Sequence, residues 1–257
     1  MNEQKPLQAE QISFFRLLGS WSRIGVHVLA GIFTLCFIFS WIDAQSKKRH
    51  IQKWSAHLLA IFEIELKVYG GQLLPKSPYL LVANHISWLD IHAINSYHPL
   101  RFVAKSEVAG WPIFGWMAKQ LGTVFVRRES ARHARAVVGE IAQVLQKDSI
   151  CIFPEGTSSL GNMVLPFRPN LFEAALVAQV PLYPLAIRYV SRVTGEKTTI
   201  PAFVGDMGLL ESMVQVLKNP RLGVELHFLP PISPTDEDAL DRKQLALYSQ
   251  ECISRQI

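Results

Sequence analysis

The sequence predicts an α/β fold: a mainly parallel sheet flanked by helices, with an N-terminal membrane-associated helical segment. Three observations predict it. From residue 75 onward, short β-branched or Leu-rich runs alternate with helical patterns, the rhythm of strand–helix–strand units. Ahead of them, residues 24–42 form one apolar run. The side chains able to do chemistry fall just past runs that read as strands, where such sheets carry their functional loops.

The apolar run, "IGVHVLAGIFTLCFIFSWI", holds nineteen residues with His27 as its one basic side chain and no acid. A helix of that length reaches about 28 Å, close to the ~30 Å hydrocarbon core of a bilayer. A cleaved signal peptide fits poorly: Glu3 and Glu10 precede the run, and "IDAQS" after it lacks the small-x-small cleavage pattern. Lys47, Lys48, Arg49 and Lys53 crowd the C-terminal flank against Arg16 and Arg23 on the other side, so the positive-inside tendency places the following domain in the cytoplasm. A helix pair that enters one leaflet and returns is the alternative, because "ISFFRLLGSW" upstream and "WSAHLLAIFEIEL" downstream are apolar-rich and suit the interface. Spanning and one-leaflet anchoring both stay open. The expected division is 1–70 as anchoring helices and 71–257 as the domain that carries the chemistry.

Six runs in that domain read as strands: residues 79–84, 101–105, 123–128, 149–154, 182–189 and 224–229. Between the third and fourth, Ser130 is placed to cap a helix with Val137, Val138, Ile141, Val144 and Leu145 on one face. "GWPIFGWMAKQLG", residues 110–122, is aromatic-rich and reads either as a helix dipping into the membrane interface or as a core helix. "LPPISPTDED", residues 229–238, is a Pro-rich loop leading into a last amphipathic helix near 240–254.

The 257 residues suffice for one such domain with an appendage. Hydrophobic residues make up 49% and charged residues 18%, a composition that excludes disorder and leaves apolar surface for lipid. A net charge of +5 and a pI near 9.2 suit anionic headgroups or an acidic carrier protein. Nucleic acid is not expected, since basic residues are not interleaved with aromatics and no zinc-finger spacing occurs. Cys36, Cys151 and Cys252 are an odd number at wide spacings, which argues for a reducing compartment without disulfides and without a structural metal.

Three stretches carry chemistry. "ANHISWLD", residues 83–90, puts His85 five residues before Asp90. Positions i and i+5 lie about 140° apart on a helix, so the two meet only if His85 sits in the strand-to-helix loop and folds back over the first turn, which Ser87 or Asn84 can cap. The carboxylate then fixes the imidazole tautomer, and the other ring nitrogen is left to take a proton. A histidine satisfied in the core beside an unrelated aspartate is the competing reading of the pair. "FPEGTSS", residues 153–159, turns tightly and offers backbone N–H groups to a phosphate or oxyanion; alone, it is an ordinary turn with Glu155 on the surface. "GTVFVRR", residues 122–128, brings Arg127 and Arg128 to a strand end, where alternation lets at most one face a given pocket.

In this order, and followed by "VPLYPLAI" and "VGDM", the stretches resemble the glycerolipid acyltransferase family that includes the 1-acylglycerol-3-phosphate acyltransferases. The likeness runs from about residue 75 to 230. It implies transfer of a fatty acyl group from a thioester, acyl-CoA or acyl carrier protein, onto a lysolipid hydroxyl at a membrane, with no metal, no other cofactor and no covalent acyl-enzyme. By position His85 becomes the base, with Asp90 orienting it. Arg128 becomes the phosphate-binding arginine, and Asn84, Glu155, Gly156, Thr157 and Arg168 the acceptor side. The leading expectation is lysophosphatidic acid converted to phosphatidic acid. Two departures bear on the acceptor: many members carry Arg after Glu-Gly-Thr where this chain has Ser158, and "FRPN" replaces Phe-Lys-x-Gly, keeping a cation at Arg168 but putting Asn170 in place of Gly. Glu-Gly-Thr-Ser forms look like those of enzymes that acylate lyso-ornithine lipid, which is the alternative acceptor. From another class, a catalytically silent lipid-binding protein on the same fold is the rival.

Overall fold

The computed structural model describes residues 13–126, 131–233 and 240–257. A seven-stranded sheet forms its middle. In chain order the strands are β1 (Glu65–Tyr69), β2 (Leu80–Ala83), β3 (Arg101–Lys105), β4 (Val124–Val126), β5 (Ile150–Ile152), β6 (Leu182–Ser191) and β7 (Leu222–Phe228). Across the sheet they run β1-β7-β6-β2-β5-β3-β4, and every neighbouring pair is parallel except β6 with β7. The helices are α1 (Phe14–Phe33), α2 (Ala44–Ile61), α3 (Leu89–Tyr97), α4 (Phe114–Gln120), α5 (Ala131–Leu145), α6 (Glu173–Ala178), α7 (Leu209–Leu217) and α8 (Arg242–Ser254).

Strand alternation splits the interior in two. Leu81 and Ala83 of β2, with Leu185 and Ile187 of β6, pack with α2, α3 and α7, whereas Leu80, Val82, Ile150 and Ile152 pack with α5, α6 and α8. Covered on both faces, β2 is wholly buried and apolar, as a central parallel strand must be. Val137, Ile141 and Leu145 are buried as the α5 pattern requires; Ser130, expected to cap it, lies outside the described residues. Asp241 closes a capping box with Gln244 at the start of α8.

The anchor is less separate than the sequence suggests. Leu58, Leu59 and Ile61 of α2 belong to the same core as β2 and β6, so the "WSAHLLAIFEIEL" segment is core rather than interface. Its last residues enter β1, which pairs with β7; residues 65–69 therefore belong with the sheet and not with the anchoring helices. "ELKVY" escapes a pattern search because, as an edge strand, only its alternate residues are partly covered. On α1, Ile24 and His27 are buried, and an added Cβ on Gly31 would come within 2.8 Å of Trp54 Nε1, so that glycine lets α1 lie close on α2. The opposite face is open, with Phe15, Val26, Leu29, Phe33, Phe37 and Trp41 all exposed. Residues 15–41 form one helix long and apolar enough to cross a membrane.

Candidate active site

Three loops meet where β2, β5 and β6 put their neighbouring carboxyl ends and flanks. His85 leaves β2 in the loop before α3, and Asp90 sits in the first turn of α3. Folded back in this way, His85 Nδ1 lies 2.8 Å from Asp90 Oδ2. The same oxygen accepts from the backbone N–H of Ile86 at 2.7 Å and of Ser87 at 3.0 Å, while Tyr189 Oη donates to Asp90 Oδ1 at 2.8 Å. An ionised carboxylate has only acceptors, so this bond puts the imidazole proton on Nδ1 and leaves Nε2 with its lone pair. The Asp90 side chain is fully buried, and that of His85 is 22% exposed. Phe153, from the loop after β5, stacks on the imidazole with ring centroids 4.1 Å apart.

The neighbours hold this loop to the sheet. Asn84 exchanges two hydrogen bonds with the backbone of Ile187: its Nδ2 donates to the carbonyl at 3.0 Å and its Oδ1 accepts from the N–H at 2.7 Å. It thus extends the β2–β6 ladder by one side chain. Glu155 is buried; its Oε1 accepts from His85 N at 2.7 Å and its Oε2 from Leu165 N at 2.9 Å. Burial pushes its carboxyl above the usual carboxylate range, against the pull of those two N–H groups. Asn84 and Glu155, expected to touch the acceptor, each bind the backbone through their side-chain oxygens. The reason is depth: both stand at the ends of buried strands, where an unmatched amide or N–H is costly.

Residues 65–188 match the family model of the Acyltransferase domain. Over 208 residues the chain is 36% identical to the lyso-ornithine lipid O-acyltransferase of Pseudomonas aeruginosa, spanning 80% of this chain and 78% of that protein. The chain belongs to this acyltransferase family. It is also 33% identical over 188 residues to the 1-acyl-sn-glycerol-3-phosphate acyltransferase of Neisseria meningitidis, 72% of each chain. The crystal structure of the 1-acyl-sn-glycerophosphate acyltransferase PlsC from Thermotoga maritima has the same fold, with a TM-score of 0.70 and 22% identity over 94% of this chain and 93% of that one. The acyltransferase is accordingly an enzyme, which retires the catalytically silent alternative.

The remaining acceptor candidates of the acyltransferase lie at the rim. Gly156 has φ 70° and its N–H donates to the Phe153 carbonyl, closing the turn, so it offers no free N–H to an oxyanion. Thr157 is exposed, and Ser158 Oγ donates to the Phe203 carbonyl. Arg168 is exposed, with its backbone N–H on the Pro154 carbonyl at 3.0 Å beside Glu155. Arg128 lies outside the described residues, as does Arg127. Sequence reasoning missed Tyr189 and Phe153. The signal for Tyr189 was available: on β6 it shares a face with Leu185 and Ile187, and a buried phenol needs a partner for its hydroxyl. Burial, then the adjoining Asp90, push that phenol well above its usual range, so it stays a donor.

Proposed function

We propose that this acyltransferase moves a fatty acyl group from a thioester, acyl-CoA or acyl carrier protein, to the hydroxyl of a lysolipid, with a lyso-aminolipid such as lyso-ornithine lipid as the acceptor it favours. The observation that carries acyl transfer is the His85–Asp90 contact at 2.8 Å with Nε2 left as the free ring nitrogen. The acceptor O–H gives its proton to Nε2 as its oxygen attacks the thioester carbonyl carbon. Asp90, tied to Nδ1, stabilises the imidazolium that forms. The tetrahedral adduct then expels the thiolate, which takes that proton from Nε2 and leaves as a thiol. Ester and thiol are the products, and no group on the protein is acylated.

Ser158 is what moves the acceptor away from lysophosphatidic acid, the acceptor the motifs alone put first. Many relatives of the resembled family carry an arginine there, whereas here a hydroxyl is turned onto the Phe203 carbonyl. One guanidinium fewer suits a headgroup that carries a single carboxylate and an ammonium better than it suits a phosphate. The 36% identity with a lyso-ornithine lipid enzyme supports the same choice. Lysophosphatidic acid is the second reading, favoured by Arg128 at the end of "GTVFVRR" and by the Neisseria relative. The open apolar face of α1 supports membrane association, and the basic flank at Lys47–Lys53 supports a cytoplasmic catalytic end.

Parallel assays of the two lysolipids with one acyl donor test this. The expected result is a higher kcat/KM on lyso-ornithine lipid; preference for lysophosphatidic acid would overturn the acceptor assignment. His85→Ala should lower turnover by about 10²- to 10⁴-fold, the usual yield of a positioned base. Parent-like turnover by the folded variant would overturn the mechanism.

A further inference from the structure

A cavity of about 330 Å³ lies between the elbow that joins α1 to α2 and the amino-terminal ends of β3 and β5. Because β2, β3 and β5 are parallel, this is the end of the sheet opposite His85, on the order of 15 Å away along a five-residue strand. The volume falls in the lower part of the ~300–1,000 Å³ range of small-ligand sites. Its walls divide by chemistry. Leu35, Phe39, Ile51 and Leu121 supply an apolar side, and Lys47, Lys48 and Arg101 supply cations against one acid, Asp148.

That acid is shared. Lys48 Nζ lies 2.8 Å from Asp148 Oδ1 and Arg101 Nε 3.5 Å from Oδ2, while the Lys47 ammonium stands 6.0 Å over the Phe39 ring and has no carboxylate partner among the described residues. Three cations facing one carboxylate leave two positive charges without a counter-charge in a partly apolar hollow. Such a hollow calls for an anion with an apolar stem. Its position says where the stem comes from. Residues 34–38 form a π-helical turn, and across it Leu35 and Phe39 line the cavity while Phe33, Phe37 and Trp41 stand exposed on the outer face. One short segment therefore offers an apolar surface to lipid and, on its other side, a basic pocket.

We propose that this cavity binds the phosphate headgroup of one anionic bilayer phospholipid, separate from the acceptor at His85, and that the bound lipid holds the elbow at the membrane surface. The proposal rests on membrane association but not on which lysolipid is acylated. Full-length protein in detergent is mixed with short-chain phosphatidylglycerol, phosphatidylcholine or inorganic phosphate, and retained lipid is counted by native mass spectrometry. One phosphatidylglycerol per chain is expected, with phosphatidylcholine not retained and equimolar inorganic phosphate unable to displace it. Lys47→Glu should weaken retention by about ten-fold or more, since it shifts the charge beside the headgroup by two units, and Lys47→Gln, which shifts it by one, should weaken it less. Lys218→Glu, an exposed lysine at the end of α7, is the control and should retain lipid like the parent. Turnover on neutral vesicles should be the same in all four proteins, which separates loss of this site from loss of the acyl-transfer chemistry. Parent-like retention by Lys47→Glu, or displacement by inorganic phosphate, would overturn the proposal.

Discussion

The two sides of the active site are built to different standards. Around Asp90 the carboxylate takes four donors, from two backbone N–H groups, one imidazole and one phenol, with its side chain fully buried. At the rim, Thr157 and Arg168 are exposed, and Ser158 is tied down by a single hydroxyl bond to a loop carbonyl. In a buried network each missing partner exposes an unmatched polar group, so one change is felt by all the members. On an exposed rim, water replaces whatever is lost. On the proposed mechanism, the buried network that would transfer the proton is therefore resistant to change, whereas the exposed rim proposed to meet the headgroup is free to vary, so that one reaction can be held while the acceptor differs.

The comparison is broken most severely at its centre. Asp90→Asn keeps the shape but removes the charge that stabilises the imidazolium; kcat should fall about 10²-fold or more with KM little changed. Tyr189→Phe, which leaves Asp90 Oδ1 without its donor, should fall by less, about ten-fold at most, and lower stability by about 1–3 kcal/mol. Steady-state kinetics and thermal unfolding of the two variants check this. Equal losses in kcat would mean that the phenol is part of the proton relay rather than its support.

Glu155 marks the boundary between the two sides. Glu155→Gln places an amide NH₂ against one of the backbone N–H groups of His85 and Leu165, at a cost of about 1–3 kcal/mol. A pH series sharpens this. With its folded-state pKa raised by burial, Glu155 contributes stability that is full below the ordinary carboxyl value and is lost as pH rises through the raised one. Glutamine does not titrate. The deficit of the variant, measured by denaturant unfolding from about pH 4 to about pH 7, should therefore shrink with rising pH. A deficit that grows with pH would mean the ionised carboxylate is the form the folded loop prefers.

What the sequence disclosed follows the same division. The α/β alternation was legible because the central parallel strands β2 and β5 are buried on both faces and so stand out as apolar runs; the bounds of β3 were legible because a charged residue closes its short run at each end. The meeting of His85 with Asp90 was legible as a condition, because positions five apart do not share a helix face and can meet only through a fold-back at the helix start, which the 2.8 Å contact realises. The part taken by Glu155 was not, since a turn carboxylate looks the same whether it faces solvent or gathers N–H groups from residues 85 and 165, loops far apart in the chain. The strand at 65–69 was hidden by its edge position. Tyr189 signalled that it needed a partner but not which one: that partner lies 99 residues away in sequence, and a phenol in a strand does not announce which helix it will meet.

The smallest effect is expected at the rim, and it tests whether acceptor choice is as easily altered as the comparison holds. Ser158→Arg would return a guanidinium to the position that many family members fill with arginine, and it would release the Phe203 carbonyl from its hydroxyl donor. That carbonyl belongs to a residue whose N–H already donates to the Ile86 carbonyl at 2.9 Å, so the loop keeps one tie to the His85 segment and the fold should survive with a loss of about 1 kcal/mol or less. A charge-assisted contact to phosphate in a solvent-open site is worth less than a buried one, so kcat/KM for lysophosphatidic acid relative to lyso-ornithine lipid should rise by a factor of about three to ten. The ratio is the quantity to measure, because it cancels any common loss from loop movement. If the ratio stayed at the parent value in a folded variant, position 158 would not face the headgroup, and the acceptor preference would have to be sought in Arg168 or Arg128.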